Sequence, residues 1–267
     1  MADLHTQKNK GKEKKDQFGR VHKTQGIWRT ASENAVMKSF SVTPASDGRT
    51  VQVETVLTLP AVDAQWTTHY TVLGDGEIAV SAAFDPRDTN LPELPRLGMQ
   101  MILPAGFDRI TWFGPGPQET YGDRKDARVG LYSGSVGEQF FADYSEPGES
   151  GNKVDVRWAT LANAQGIGLL IIGEPLLSVN AMRHTADDLR NAKHAFELPR
   201  RDLTVLNIDW KQQGLGGDDS WRAWPHDPYM IPCKPQGYSF RLRPIGGTDE
   251  ASKLARRPIQ QTKDPKN

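Results

Sequence analysis

The chain has one cysteine, Cys233, among its 267 residues. That excludes a disulfide-stapled scaffold and any metal site built from several cysteines. It has no excess of charge, since 33 Lys+Arg offset 33 Asp+Glu. No global field therefore draws it to nucleic acid or to an anionic membrane, and neither is expected as a partner. No apolar run reaches the roughly 18 residues that a membrane span needs. The longest, Ile167–Ile172, has the length of a buried strand. The opening MADLHTQKNKGKEKK lacks the apolar stretch of a secretory leader, so a cytoplasmic location is expected. Helical periodicity is scarce and strand–helix alternation does not recur, which argues against a (β/α)8 barrel or a Rossmann sheet. There is no Gly-x-Ser-x-Gly elbow, no Walker loop and no His-Glu-x-x-His.

What is present is enough apolar material for a core, 37% of residues before glycine is added, arranged with a period of two. Trp66, Thr68, Tyr70 and Val72 share a face, Gly74-Asp75-Gly76 turns the chain, and Ile78, Val80, Ala82 and Phe84 return. That is a hairpin with its turn residues in place. Leu97, Met99, Met101 and Leu103 alternate in the same way. Further strands read at Val154–Leu161, Gly166–Ile172, Thr204–Asp209 and Tyr238–Arg243. In the last, Tyr238, Phe240 and Leu242 point one way and Ser239, Arg241 and Arg243 the other. The one convincing helix start is Thr185-Ala186-Asp187-Asp188, which resembles a capping box. The ends are polar: residues 1–24 are lysine-rich and residues 246–267 are similarly hydrophilic, and both are expected to be disordered tails. The folded body is expected over 25–245, as stacked antiparallel sheets.

Two segments stand out chemically. Trp112-Phe113-Gly114-Pro115-Gly116-Pro117-Gln118-Glu119-Thr120-Tyr121-Gly122-Asp123-Arg124 runs a strand end into a rigid turn and then a polar cluster. Glu119 and Asp123 there read either as an acid/base pair or as a hydrogen-bonded lock between sheets. Gly214-Leu215-Gly216-Gly217-Asp218-Asp219-Ser220-Trp221 joins a flexible backbone, acidic acceptors and an indole. Sugars are recognised with such groups, the ring face packing on pyranose C–H and carboxylates accepting from hydroxyls. A turn with a buried Trp is the structural alternative. Cys233 reads as an ordinary loop thiol, and the six histidines show no metal-ligand spacing.

Taken in order, several segments resemble one family. They are Leu94-Pro95-Arg96-Leu97-Gly98, Gly114–Tyr121 with Asp123-Arg124, and Glu149-Ser150-Gly151-Asn152-Lys153 with Asp155-Val156-Arg157-Trp158. Asn207-Ile208-Asp209 and Gly216-Gly217-Asp218-Asp219-Ser220-Trp221 complete the set. The chain resembles the C-terminal small-chain domain of the large β-galactosidases of glycoside hydrolase family two, over about Ile27 to Pro244. The resemblance implies a large antiparallel β-supersandwich akin to galactose mutarotase folds. It implies a component that binds a galactoside through Trp221, with Gly216, Gly217, Asp218, Asp219 and Ser220 supporting the loop. No catalytic residue and no metal ligand is assigned to this chain. The reacting carboxylates, and the magnesium and sodium associated with the family, are expected on a barrel-bearing large chain. Whether the chain is a true small subunit or a fragment stays open. A stand-alone galactoside-binding module and a mutarotase-type enzyme are the alternatives.

Overall fold

A computed structural model describes residues 14–15, 21–22 and 25–258, except 47, 145, 217 and 219–222. Among the described residues the chain forms thirteen strands, and every pairing between them is antiparallel. β1 (Lys14–Lys15) and β2 (Val21–His22) pair over two residues within the stretch expected to be a tail. Then follow β3 (Val36–Pro44), β4 (Thr50–Leu59), β5 (Ala64–Leu73) and β6 (Ile78–Pro86). Next come β7 (Arg96–Pro104), β8 (Arg109–Gly116), β9 (Arg128–Ser135) and β10 (Lys153–Ala162). β11 (Gly168–Met182), β12 (Leu203–Gln212) and β13 (Gln236–Ile245) complete the sheet. No helix among the described residues is long and apolar enough to cross a membrane.

The order β3-β4-β5-β6-β13-β11-β10-β8-β9 is continuous, and β12 and β7 branch from β11. The branch arises because β11 changes neighbours along its length. Its first half pairs with β13 as far as Glu174, and its second half pairs with β12 from Ser178. Pro175, which has no N–H for a ladder, falls in the gap between the two partners. The period-two reading ended this strand at Ile172, and the change of neighbour is why it runs ten residues further.

The branch folds the sheet into an all-β sandwich. Val80 and Ala82 from β6, Phe240 from β13, Leu206 and Ile208 from β12, and Trp112 from β8 meet in one buried cluster. Tyr238 on β13 crosses the layer and donates its hydroxyl to the Ile208 carbonyl at 2.9 Å. Beyond β4 no other described residue covers the inner face. A bulge at Lys38 puts Met37, Phe40 and Val42 opposite Leu57, Thr55 and Val53, on the core-facing side, yet each is at least half exposed.

Thr185 starts α1 (Ala186–Asn191) as its sequence predicts. Its hydroxyl accepts from the Asp188 amide at 3.1 Å, and the Asp188 carboxylate accepts from the Thr185 amide at 2.9 Å. The segment from Gly246, expected to be a disordered tail, instead carries a second helix, α2 (Ala251–Ala255). Leu254 is buried there against Trp158, Leu170, Ile172 and Ile245. Arg241 holds the helix end: it pairs with Glu77 at 2.6 Å and donates to the carbonyls of Arg257 at 3.0 Å and Ala255 at 3.3 Å. Cations at a helix C-terminus satisfy carbonyls that have no partner within the helix.

Candidate functional site

The loop that follows β8 is fastened residue by residue. The indole N–H of Trp112 donates to the Pro115 carbonyl at 3.0 Å, fixing the strand end where the Gly/Pro turn begins. Thr120 then pairs with Asn152: its amide donates to the Asn152 carbonyl at 2.7 Å, and the Asn152 side chain donates back at 3.1 Å. The Glu119 carboxylate is buried and accepts from Arg124 at 2.5 Å, the Gly151 amide at 2.7 Å, and the Tyr144 hydroxyl. Beside it lies Lys153, also buried, donating to the Gly151 carbonyl at 2.7 Å with its ammonium 4.8 Å from the centre of the Trp112 ring. Burial draws this ammonium down to about 8, against the Glu119 carboxylate, which favours the charged form.

A second cluster continues from the first. Arg96 on β7 donates to Glu149 at 2.6 Å and to Gln212 at 2.8 Å. Its Nε lies 3.0 Å from Asp209 Oδ2 on β12, an ion-pair contact without hydrogen-bond alignment. Gly98 pairs with Asp209 across the two strands, and a Cβ on Gly98 would lie 1.9 Å from Asp209 Oδ1. Only glycine fits there. Burial pushes Asp209 up to about 7, opposed by Arg96 and reinforced by Glu149. Burial likewise raises Tyr121, whose side chain sits near both Glu149 and Glu119.

The last link reaches the glycine-rich segment. Tyr121 and Arg124 exchange backbone hydrogen bonds at 3.0 and 2.9 Å, so Gly122 and Asp123 form the tip of a tight turn. The Asp123 carboxylate accepts from the Leu215 amide at 3.0 Å and from the Gly216 amide at 2.7 Å. Gly216 takes a φ of +71°, and a Cβ on it would lie 2.5 Å from the Ala223 carbonyl. Residues 216 and 223 are thus close neighbours. Asp218 Oδ2 lies 2.7 Å from His226 Nε2. Of the residues singled out from sequence, Gly216 and Asp218 are placed in this way, and Gly217, Asp219, Ser220 and Trp221 lie outside the described residues.

The carboxylates therefore serve as acceptors within the fold. Glu119 takes four donors, the Tyr121 hydroxyl at 3.4 Å being the fourth, and Asp123 takes two amides, which favours the lock between sheets over the acid/base reading. Cys233 is buried, directs its thiol at the Asp88 carbonyl at 3.6 Å, and has its pKa raised by burial and by Asp88. Among the described residues no three His, Cys, Asp or Glu side chains are grouped to hold a metal ion. Arg96, Lys153 and Asp209 were not singled out from sequence as a group. Their meeting depends on strand register, which no local motif states.

Segments scattered from Leu94 to Gly216 thus converge on one polar network. A family model of the β-galactosidase small chain matches residues 6–243. The chain belongs to the β-galactosidase small-chain family. A β-galactosidase of Priestia megaterium is 38% identical over 233 residues, covering 86% of this chain and 22% of that protein. One of Streptococcus thermophilus is 30% identical over 223 residues, covering 82% of this chain and 21% of that protein. The chain spans about a fifth of the length of these curated relatives. Among solved structures, the galactosidase domain of an alpha-galactosidase–sucrose kinase is 11% identical with a TM-score of 0.45, covering 88% of this chain and 29% of that one. A galactose mutarotase related enzyme from Lactobacillus acidophilus is 11% identical with a TM-score of 0.38, covering 79% of this chain and 73% of that one. The all-β assignment rests on the strand pairing described above.

Proposed function

We propose that this chain is the small-chain component of a β-galactosidase, which closes the sugar pocket of a barrel-bearing large chain. In this reading the indole of Trp221 stacks on the C–H face of a terminal β-galactose residue, as in lactose. Gly216, Gly217, Asp218, Asp219 and Ser220 shape the loop that presents it. Bond cleavage by a retaining route needs two carboxyl groups about 5–5.5 Å apart, one to protonate the leaving oxygen and one to attack. The carboxylates of the network described above are engaged by arginine, tyrosine or backbone donors. The reacting pair is therefore assigned to the large chain, together with any magnesium or sodium the enzyme uses.

The observation that carries this reading is the convergence of the family segments on a network whose last member, Asp123, grips the base of the Trp221 loop. The exposed apolar side chains of Val36, Met37, Phe40 and Val42 on β3 are in keeping with a chain that works against a partner. The test is Trp221→Ala in enzyme reconstituted with the large chain, assayed on a chromogenic β-galactoside. Loss of one stacking contact, about 1–3 kcal/mol, lowers kcat/KM by roughly 5- to 150-fold. An unchanged kcat/KM would remove Trp221 from the site.

A further inference from the structure

We propose that the cleft beside the end of α2 binds a phosphate-bearing ring compound, a sugar phosphate or a nucleotide. The cleft encloses about 550 Å³, within the usual size of a small-molecule site. It opens on the face of the sheet opposite the Trp112 core, since Phe113 alternates with Trp112 along β8. Phe113 on β8 and Trp158 on β10 pair across the two strands, with ring centres 6.3 Å apart, and supply its apolar floor. Three arginines line it, Arg157, Arg241 and Arg256, against one carboxylate, Glu174. Arg241 Nε lies 3.0 Å from Glu174 Oε1, so that carboxylate is already matched. Arg157 and Arg256 have no carboxylate partner among the described residues, and the neighbouring Asp155 is taken by Lys125 at 2.7 Å.

The fold holds each of these groups in place. β10 and β11 slip out of register between the Val156–Leu177 and Trp158–Ile172 pairs, so Arg157 stands opposite Gly173, Glu174, Pro175 and Leu176. Alternation would send Arg157 and Trp158 to opposite faces, and the bulge lets both line the same cleft. Gly173 permits the bulge, since a Cβ on it would lie 3.0 Å from the Leu176 Cα and from the Val156 carbonyl oxygen. The Arg157 guanidinium lies 5.5 Å from the centre of the Phe113 ring and uses one N–H on the Asp155 carbonyl at 3.1 Å. The rest of its donor fork is left for a ligand. Arg256 is set at the rim by Arg241, which donates to the carbonyls on either side of it, those of Ala255 and Arg257. Two guanidinium forks at one cleft suit the several oxygens of a phosphate better than a lone carboxylate. The rings beneath suit the flat or C–H face of the body that carries it.

The test is calorimetric titration of the full chain with glucose 6-phosphate and, separately, with AMP; glucose and inorganic phosphate are the controls. Saturable binding of at least one phosphorylated probe is expected, with a Kd below about 1 mM. Binding of glucose 6-phosphate alone identifies the ligand as a sugar phosphate, binding of AMP alone identifies a nucleotide, and binding of both shows the shared chemistry. Arg157→Gln and Arg256→Gln each weaken the bound probe by about tenfold or more. Arg256 is exposed, so its replacement leaves folding intact. Arg200→Gln, at an exposed arginine in another segment, leaves the affinity unchanged. No saturable binding of either probe overturns the proposal, as does an affinity that survives both cleft substitutions or falls equally with Arg200→Gln. Inorganic phosphate binding as tightly as the probes overturns the part given to the rings, and glucose binding as tightly overturns the part given to the arginines.

Discussion

Lys153 offers a test of the network that needs no partner and no substrate. Its ammonium is buried among Trp112, Gly151 and Glu119, and burial lowers its pKa from the ordinary 10.5 to about 8. That difference corresponds to roughly 3 kcal/mol between the charged and neutral forms. Below pH 8 the folded and unfolded chains both carry the proton, and the cost of burying the charge is felt in full. Between about 8 and 10.5 the unfolded chain keeps a proton that the folded chain has released, so this group makes the native state more stable as pH rises. Substituting Lys153→Met keeps the aliphatic stem and removes the titration. Cys233, Tyr121 and Tyr238 titrate abnormally in both proteins and cancel in the comparison. Unfolding free energies from urea titrations at about pH 7.5 and about pH 9.5 then give a wild-type minus variant difference that grows by about 2 kcal/mol. A difference that stays flat, or shrinks, would refute the burial of a charged Lys153.

Two further substitutions test the geometry elsewhere. Gly98→Ala drives a methyl group to within 2.5 Å of the Asp209 Cα and forces β7 away from β12. It is expected to cost about 3 kcal/mol or more in denaturant unfolding, and an unchanged midpoint would place Gly98 wrongly. Leu254→Ala removes the side chain by which α2 covers Trp158, Leu170 and Ile172. A loss of about 2–3 kcal/mol is expected, whereas a loss under about 0.5 kcal/mol would show that α2 is not part of the core.

How much of this was legible in the sequence differs from element to element. The β5–β6 hairpin and the inward set Tyr238 and Phe240 follow from alternation alone, because each strand has one face toward the core. Arg241 does not follow. Alternation assigns it to a solvent face, but α2 and Glu77 bury that face. The same helix was hidden in a polar segment because only Leu254 is buried, too little for a periodic signal. In β3 the bulge at Lys38 breaks the period of two that marks the other strands. In the site, the individual segments were recognisable, but their contacts were not. That Gly98 lies opposite Asp209, or Thr120 beside Asn152, is a matter of register and of two strands distant in sequence.

The central claim is that this chain completes a sugar pocket whose reacting groups are held by another polypeptide. It is tested most directly by measuring release of chromophore from a β-galactoside with the purified chain alone, and again after mixing with a cognate barrel-bearing chain. No turnover alone and turnover on mixing is the predicted pair of results. Turnover by the purified chain alone, or none after a complex has demonstrably formed, would contradict the account.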